Sequence, residues 1–141
     1  MQKSKRSARE LALNVLYQID VAGLPLEEAL LTALEHSSLD DGAKQFTETL
    51  VRGTRENIAG IDDRLRRLSP DWRPERQALV DRNILRLAAY EIDCVDSVPD
   101  VVAINEAVEL AKKFSSADSG KFVNGVLAAY LRGKGPAGPT P

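Results

Sequence analysis

The sequence is poor in aromatic residues, in cysteine and in histidine, and each shortage excludes a class of protein. Only 5% of its 141 residues are Phe, Trp or Tyr, so aliphatic side chains must fill the core, which favours packed helices over an aromatic-rich sheet. The single cysteine, Cys94, cannot form an internal disulfide, which agrees with a reducing cytoplasm. One histidine and one cysteine cannot form a structural zinc site, and no pair of carboxylates is set apart by its context. The sequence therefore predicts no enzyme, no catalytic residue, no cofactor and no metal.

Strong charge and long hydrophobic runs are also missing. The formal net charge is −2 and the sequence pI is about 5.5, so the chain cannot hold nucleic acid by overall charge. Any RNA site must be a local patch, with a partner supplying further affinity. The first apolar segment, residues 11–19, is interrupted by Asn14 and Gln18. This interruption predicts neither a signal peptide nor a membrane span.

The most regular pattern lies in residues 98–131. Pro99 suits the first turn of a helix, where its missing N–H costs nothing. Apolar residues then recur at steps of three and four and mark one face of a helix: Val101, Ile104, Val108, Ala111 and Phe114. A second stripe follows at Phe122, Val126 and Tyr130. The polar segment 115–119 between them predicts a sharp corner and the N-cap of the second helix.

Helical spacing continues through the rest of the chain, with breaks that suggest its organisation. Gly23 and Pro25 separate a first helix from a second. The third helical segment follows Asp40 and Asp41, and its apolar side extends from Phe46 to Leu68. It fits one long helix or two joined near Asn57. Ser69, Pro70 and Pro74 mark a seam near residues 69–74 between two helical halves.

Residues 80–92 are apolar on most sides, which is typical of a central helix. Asp81, Arg82 and Arg86 are expected at its more exposed end. The whole pattern predicts an all-α fold of two packed three- to four-helix subdomains without a sheet. It forms a single domain over residues 1–132, followed by a disordered tail at 133–141.

Basic residues at the N-terminus are the first candidate RNA-binding group. Lys3, Lys5, Arg6 and Arg9 precede the first acid of the chain. Arg6 and Arg9 also begin a line, at steps of three and four, that reaches Tyr17. Two cations and a ring along one edge have the geometry of a phosphate contact beside a stacking platform. The alternative is a solvated basic end with a half-buried tyrosine.

The start of the last helix is the second candidate group, formed by Asp118, Ser119, Lys121 and Phe122. Backbone N–H groups and the helix dipole favour an anion there, and Lys121 adds a cation. Phe122 offers a ring to an unstacked base. The alternative is a helix cap followed by a core position, because Phe122 falls on the apolar stripe.

The run VAINEAVELAKKF followed by DSGKFVNGVL resembles the NusB family of bacterial transcription antitermination factors, and weaker similarity extends from Arg6 to about Leu131. The resemblance implies a protein that binds boxA-type single-stranded RNA in nascent rRNA leader transcripts together with NusE, a small-subunit ribosomal protein. It also implies entry into the elongating RNA polymerase complex with other Nus factors.

The resemblance further implies roles for particular residues. RNA contact is expected at the arginine-rich entry to the first helix and at Lys121 and Phe122. NusE is expected to contact the surface around Asp81 and Arg82. One departure from the family is Ser115, where relatives often carry a helix-ending glycine, so strain is expected there if the residue is left-handed.

Two other functions remain open at this point. A similar helical domain resembles the RNA-binding part of an rRNA cytosine methyltransferase, in which case this chain would be an isolated module lacking the doubly wound catalytic domain. A helical adaptor without RNA binding is the other alternative. Salt-dependent binding of a boxA-like oligonucleotide distinguishes the adaptor from the antitermination factor.

Overall fold

The computed structural model describes the backbone of residues 2–68 and 78–134 and the side chains of residues 5–68 and 78–133. These stretches contain no strand, and this confirms the predicted all-α fold. Contacts divide the chain into two compact units, Met1–Glu56 and Asn57–Pro141. The helices are α1 (Gln2–Ala22), α2 (Leu26–Glu35), α3 (Asp41–Glu56), α4 (Ile58–Leu68), α5 (Leu79–Cys94), α6 (Asp100–Phe114) and α7 (Ala117–Lys134).

The first unit packs α1 against α2 and α3 around small and branched side chains. Its fully buried positions include Ala8, Ala12, Val15, Leu16, Leu30, Leu50 and Val51. The buried hydroxyl of Thr47 of α3 lies 3.2 Å from the carbonyl of Ala8 in α1 and 3.0 Å from that of Ala43 in its own helix, so its one proton is shared between the two acceptors. Gly23 has φ +69°, a left-handed conformation that favours glycine, and it ends α1 as predicted. Pro25 is the N-cap of α2.

The second unit is built around α5, which packs against α4, α6 and α7. Its buried positions surround the helix, and this confirms the predicted central helix: Ile84, Leu85, Leu87, Ala88, Ala89 and Ile92. The third helical segment is two helices joined at Asn57. Because α4 packs within the second unit, the boundary between units falls earlier in the chain than residues 69–74. That predicted seam lies outside the described residues.

The corner between α6 and α7 has the predicted location. Ser116 is the N-cap of α7, since its Oγ accepts the backbone N–H of Ser119 at 3.0 Å. A Cβ at Gly120 would lie 3.0 Å from the Cγ of Lys112, so glycine permits this close approach of the two helices. The strain expected at Ser115 is absent, because its φ is −135° and its N–H still donates to Ala111.

Two details of this region differ from the prediction. Val101 and Phe114 are 63% and 45% exposed, although both were expected on the apolar face of α6. The face that packs instead runs through Ala103, Ile104, Ala107, Leu110 and Ala111. The last helix continues through Gly133 to Lys134, two residues into the predicted tail, and residues 135–141 lie outside the described part.

None of the helices in the described stretches is long and apolar enough to cross a membrane. The same stretches contain no group of three His, Cys, Asp or Glu side chains that could hold a metal ion.

Candidate nucleic-acid interface

The N-terminal half of α1 presents part of the predicted basic edge. Arg6 is exposed and Lys5 is half-buried, with its Nζ 5.5 Å from the ring centroid of Phe46. Tyr17 is 36% exposed, so one side of its ring is accessible. The side chain of Lys3 lies outside the described residues. This part of α1 therefore offers a cation and, further along, an aromatic ring.

Arg9 does not project from this edge, and the prediction that it does is wrong. Its side chain is 1% exposed, and its guanidinium carbon lies 5.5 Å from the ring centroid of Phe46. The physical reason is the helical wheel: Arg9 and Leu16 are seven residues apart and differ by only about 20° around the helix. The buried arc that contains Leu16 therefore includes Arg9. Its guanidinium is held inside the first unit, where RNA cannot reach it.

The start of α7 presents the second predicted group in a more accessible form. Asp118 and Lys121 are exposed, and Phe122 is half-buried. The Oγ of Ser116 accepts the backbone N–H of Ser119, and the carbonyl of Ser116 accepts the backbone N–H of Gly120. Among the described residues, the N–H groups of the two preceding helix positions, 117 and 118, have no acceptor.

Ser119 is directed inwards and connects the start of α7 to the start of α5. Its Oγ donates to Oδ2 of Asp81 at 2.9 Å, and it also lies 2.8 Å from the Oγ of Ser115. Two residues that the sequence assigned to different surfaces, Asp81 and Ser119, are thus hydrogen-bonded to each other. No local signal could show this contact, because the residues are 38 positions apart.

The predicted exposed end of α5 is partly wrong. Asp81 and Arg86 are each 7% exposed, whereas Arg82 between them is half-buried. Arg86 is buried because Asp62 of α4 pairs with it, at 2.7 Å between Nη2 and Oδ2. The Oδ1 of Asp81 is buried and has no partner among the described residues. Asp81 therefore holds α7 in place and does not form an open contact surface.

The chemistry available at the start of α7 is anion binding combined with stacking. Unpaired N–H groups at a helix N-terminus attract a phosphate, and Lys121 adds a full positive charge beside them. The half-buried ring of Phe122 leaves an accessible part on which an unstacked base can stack. The carboxylate of Asp118 opposes anion binding at the same place.

The chain is similar to known proteins in sequence and in fold. The family model described as "NusB family" matches residues 6–132. The transcription antitermination protein NusB of Symbiobacterium thermophilum is 46% identical to this chain, covering 96% of the chain and 94% of that protein. The protein of the same name from Bacillus licheniformis is 47% identical, covering 88% and 93%.

Solved structures show the same fold. NusB of T. maritima superimposes with a TM-score of 0.84 at 36% identity, covering 91% of this chain and 90% of that one. A chain from a crystal structure of antitermination factors NusB and NusE in complex with double-stranded RNA gives a TM-score of 0.85 at 29% identity. That match covers 94% of this chain and 98% of the other.

Proposed function

This chain belongs to the NusB family, and from that premise we propose that it is a transcription antitermination factor acting in the cytoplasm. It binds boxA-type single-stranded RNA in nascent rRNA leader transcripts together with NusE. The resulting complex then joins the elongating RNA polymerase with other Nus factors. The observation that carries the proposal is the exposed Lys121 beside the half-buried ring of Phe122, at the open N-terminus of α7.

Some of the predicted RNA-binding residues contact RNA directly, and others hold the helices of these contacting residues in place. Lys121 and Phe122 contact a phosphate and a base at the start of α7. In the first unit, Lys5, Arg6 and Tyr17 contact RNA, and the sequence adds Lys3 to this basic group. Arg9 supports α1 from inside through Phe46. Ser119 supports α7 through its hydrogen bond to Asp81.

NusE contacts the start of α5 around Arg82, which is half-buried. Asp81 contributes to this surface indirectly, because its own carboxylate is buried. A neighbouring solved complex contains both NusB and NusE with RNA, and this supports NusE as the partner. The chain has a net charge of −2 and only small basic patches, so its own contacts give it limited affinity for RNA. A second protein supplies the further contacts.

The mechanism is assembly without chemistry. The protein holds nascent RNA and NusE at the same time, and each increases the apparent affinity for the other through effective concentration. We prefer this function to the methyltransferase-type module, since relatives at 46% and 47% identity are antitermination proteins over nearly their full length. The RNA-binding experiment below distinguishes this function from that of a helical adaptor that does not bind RNA.

The proposal is tested by substituting the two opposite charges at the start of α7. Lys121→Ala should weaken binding of labelled boxA RNA and reduce the slope of log K against log salt by about 0.7, the value for one phosphate contact to a single strand. Asp118→Asn should tighten binding, because it removes repulsion of phosphate. The N-cap Ser116 is untouched, so the free energy of unfolding should fall only by the interaction of one acid with the helix dipole, about 0.3–1 kcal/mol. Arg132→Ala, at the exposed far end of α7, is the matched control and should leave the affinity unchanged.

Two results would contradict the assignment. If Arg132→Ala weakens binding as much as Lys121→Ala, RNA responds only to overall charge and the start of α7 is not a specific site. If Asp118→Asn weakens binding while the protein stays folded, Asp118 accepts a hydrogen bond from RNA and the repulsion argument is wrong. Absence of any salt-dependent binding would favour the adaptor.

A further inference from the structure

The second unit contains a cavity of about 170 Å³ between α4, α5 and α7. We propose that this cavity binds a single unstacked nucleobase of the RNA strand, an inference that rests on the RNA-binding function proposed above. Its lining includes Gly60 and Ile61 of α4 and Tyr90 of α5, together with a polar cluster. This volume is below the range of about 300–1,000 Å³ for pockets that take drug-sized ligands, so it suits a ligand as small as one planar ring system.

Three side chains form the polar cluster and fix one another in place. Arg64 donates from Nη1 to both carboxylate oxygens of Asp93, at 3.0 and 3.1 Å. The guanidinium carbon of Arg64 lies 4.1 Å from the ring centroid of Tyr130, whose hydroxyl donates to Oδ2 of Asp93 at 2.5 Å. Burial raises the pKa of Tyr130, and the hydrogen bond to Asp93 raises it further, so the phenol remains a donor at neutral pH. The cluster is therefore organised before any ligand arrives.

The charges of this cluster favour a neutral ligand over a phosphate. The positive charge of Arg64 is balanced by Asp93 at 3.0 Å, and the carboxylate repels an anion. The remaining lining is mostly apolar or aromatic, with Ile61 3% exposed and Tyr90 half-buried, and it also includes the polar side chain of Asn57 and the thiol of Cys94. A flat ring with polar groups along one edge matches such walls, and a nucleobase has this form.

Hydrogen-bonding capacity remains for the edge of a base. A carboxylate has about four acceptor sites, and Asp93 uses one on Oδ1 and two on Oδ2. One site on Oδ1 is left for a base N–H. Arg64 has five N–H donors, and the described residues accept only from Nη1. Its other donors can reach a base carbonyl or ring nitrogen, and guanidinium planes are surfaces on which unstacked bases stack.

The cavity also lies within reach of the RNA surface at the start of α7. Tyr130 follows Phe122 by eight residues on the same helix. At 1.5 Å per residue, the two positions are about 12 Å apart along the helix axis. Lys121 and Tyr130 are nine residues apart and therefore lie about 180° apart around the helix. A single strand whose phosphate contacts Lys121 must cross α7 as well as follow it to place a later base in the cavity.

Cys94 provides a direct measurement of occupancy. It is the only cysteine of the chain, it is exposed and it lines the cavity. The rate at which a thiol reagent modifies Cys94 should fall severalfold and saturably on addition of cytidine or adenosine. Ribose, which lacks a base, should leave the rate unchanged. Single-stranded boxA RNA should protect Cys94 at concentrations where it binds the protein.

A cavity-filling substitution tests the same idea without a reagent. A Cβ at Gly60 meets no atom within 4 Å, so Gly60→Leu places its side chain in the open space, and leucine also favours the helix. Ala59→Leu, at the exposed neighbouring position on α4, is the matched control. Gly60→Leu should abolish protection by nucleosides and weaken RNA binding about tenfold, equivalent to about 1.4 kcal/mol and within the range for one stacked base. Ala59→Leu should change neither.

The outcomes separate this inference from the proposed function. If RNA binds but neither RNA nor nucleosides protect Cys94, the base-binding cavity is refuted and the antitermination function stands. If nucleosides protect Cys94 in a protein that does not bind RNA, the cavity binds free nucleosides and the proposed function fails. If NusE alone protects Cys94 and the nucleosides do not, a protein side chain occupies the cavity, which also overturns the inference.

Discussion

Ser119→Ala tests the hydrogen bond that connects the first turns of α5 and α7. The substitution removes the hydroxyl that donates to Asp81 at 2.9 Å. It keeps the N-cap, because the Oγ of Ser116 accepts the backbone N–H of residue 119, which alanine also has. Asp81 is 7% exposed, and its Oδ1 already has no partner among the described residues. The variant therefore leaves a buried carboxylate with no donor from that part of the chain.

The expected cost follows from the charge of the acceptor. A hydrogen bond to a charged group contributes about 1.5–3 kcal/mol, so we expect the free energy of unfolding to fall by about 2 kcal/mol. With an unfolding entropy of about 2.1 cal/mol/K per residue, this loss lowers the midpoint of thermal unfolding of a 141-residue chain by about 7 °C.

Urea denaturation measures the loss, and Ser115→Ala is the matched control. That variant removes only the exposed hydroxyl contact to Ser119, so it should change the unfolding free energy by less than about 0.5 kcal/mol. Adding Asp81→Asn to Ser119→Ala should restore part of the stability, because an unpaired amide is less costly to bury than an unpaired carboxylate. Equal losses for Ser119→Ala and Ser115→Ala, or a double variant less stable than Ser119→Ala, would refute the buried-charge argument.

Three further predictions concern both units. Arg9→Ala should lower the unfolding free energy by about 3 kcal/mol through lost packing. Arg6→Ala should change it by less than about 0.5 kcal/mol but should weaken RNA binding. Similar losses of stability for the two variants in urea denaturation would contradict the difference in their burial. Burial and the hydrogen bond to Asp93 raise the pKa of Tyr130, so its neutral phenol stabilises the folded state. This stabilisation is complete below the ordinary pKa of about 10 and is lost as the pH rises above it. Denaturation at pH 9 to 11 should show this fall, and Tyr130→Phe should make it shallower. Arg82→Glu should weaken NusE binding in calorimetry while RNA affinity of the protein alone is unchanged, and an unaltered NusE affinity would place the partner surface elsewhere.

Local sequence signals were sufficient for the helices and for most of their ends. The left-handed Gly23, the N-cap Pro25 and the corner at 115–116 depend on residues within one or two turns, so they can be predicted from short segments. The central position of α5 was also predictable, because apolar residues on most sides of a helix leave no face for solvent. These features require no knowledge of which helix packs against which.

Which face of a helix is buried is harder to predict, because apolar or long side chains at the edge of that face can be either covered or exposed. Val101 and Phe114 continue the apolar spacing of α6, yet its packed face lies to one side of them. Arg9 shows the opposite case, in which a charged residue near the edge of the buried arc of α1 is covered by Phe46. In both helices the neighbour decides the outcome, and the neighbour is distant in sequence.

Charged residues of the candidate site therefore belong to two groups that sequence spacing cannot separate. Asp118 and Lys121 are exposed near the start of α7, and we propose that their charges act directly on RNA. Asp81 and Arg86 of α5 are also charged but are buried, and Ser119 of α7 and Asp62 of α4 pair with them. A buried charge tolerates little movement of its partner, since an unpaired charge away from water is costly. The buried Asp81 thus helps to fix the position of the start of α7, and through it the position of the exposed charges that α7 carries there.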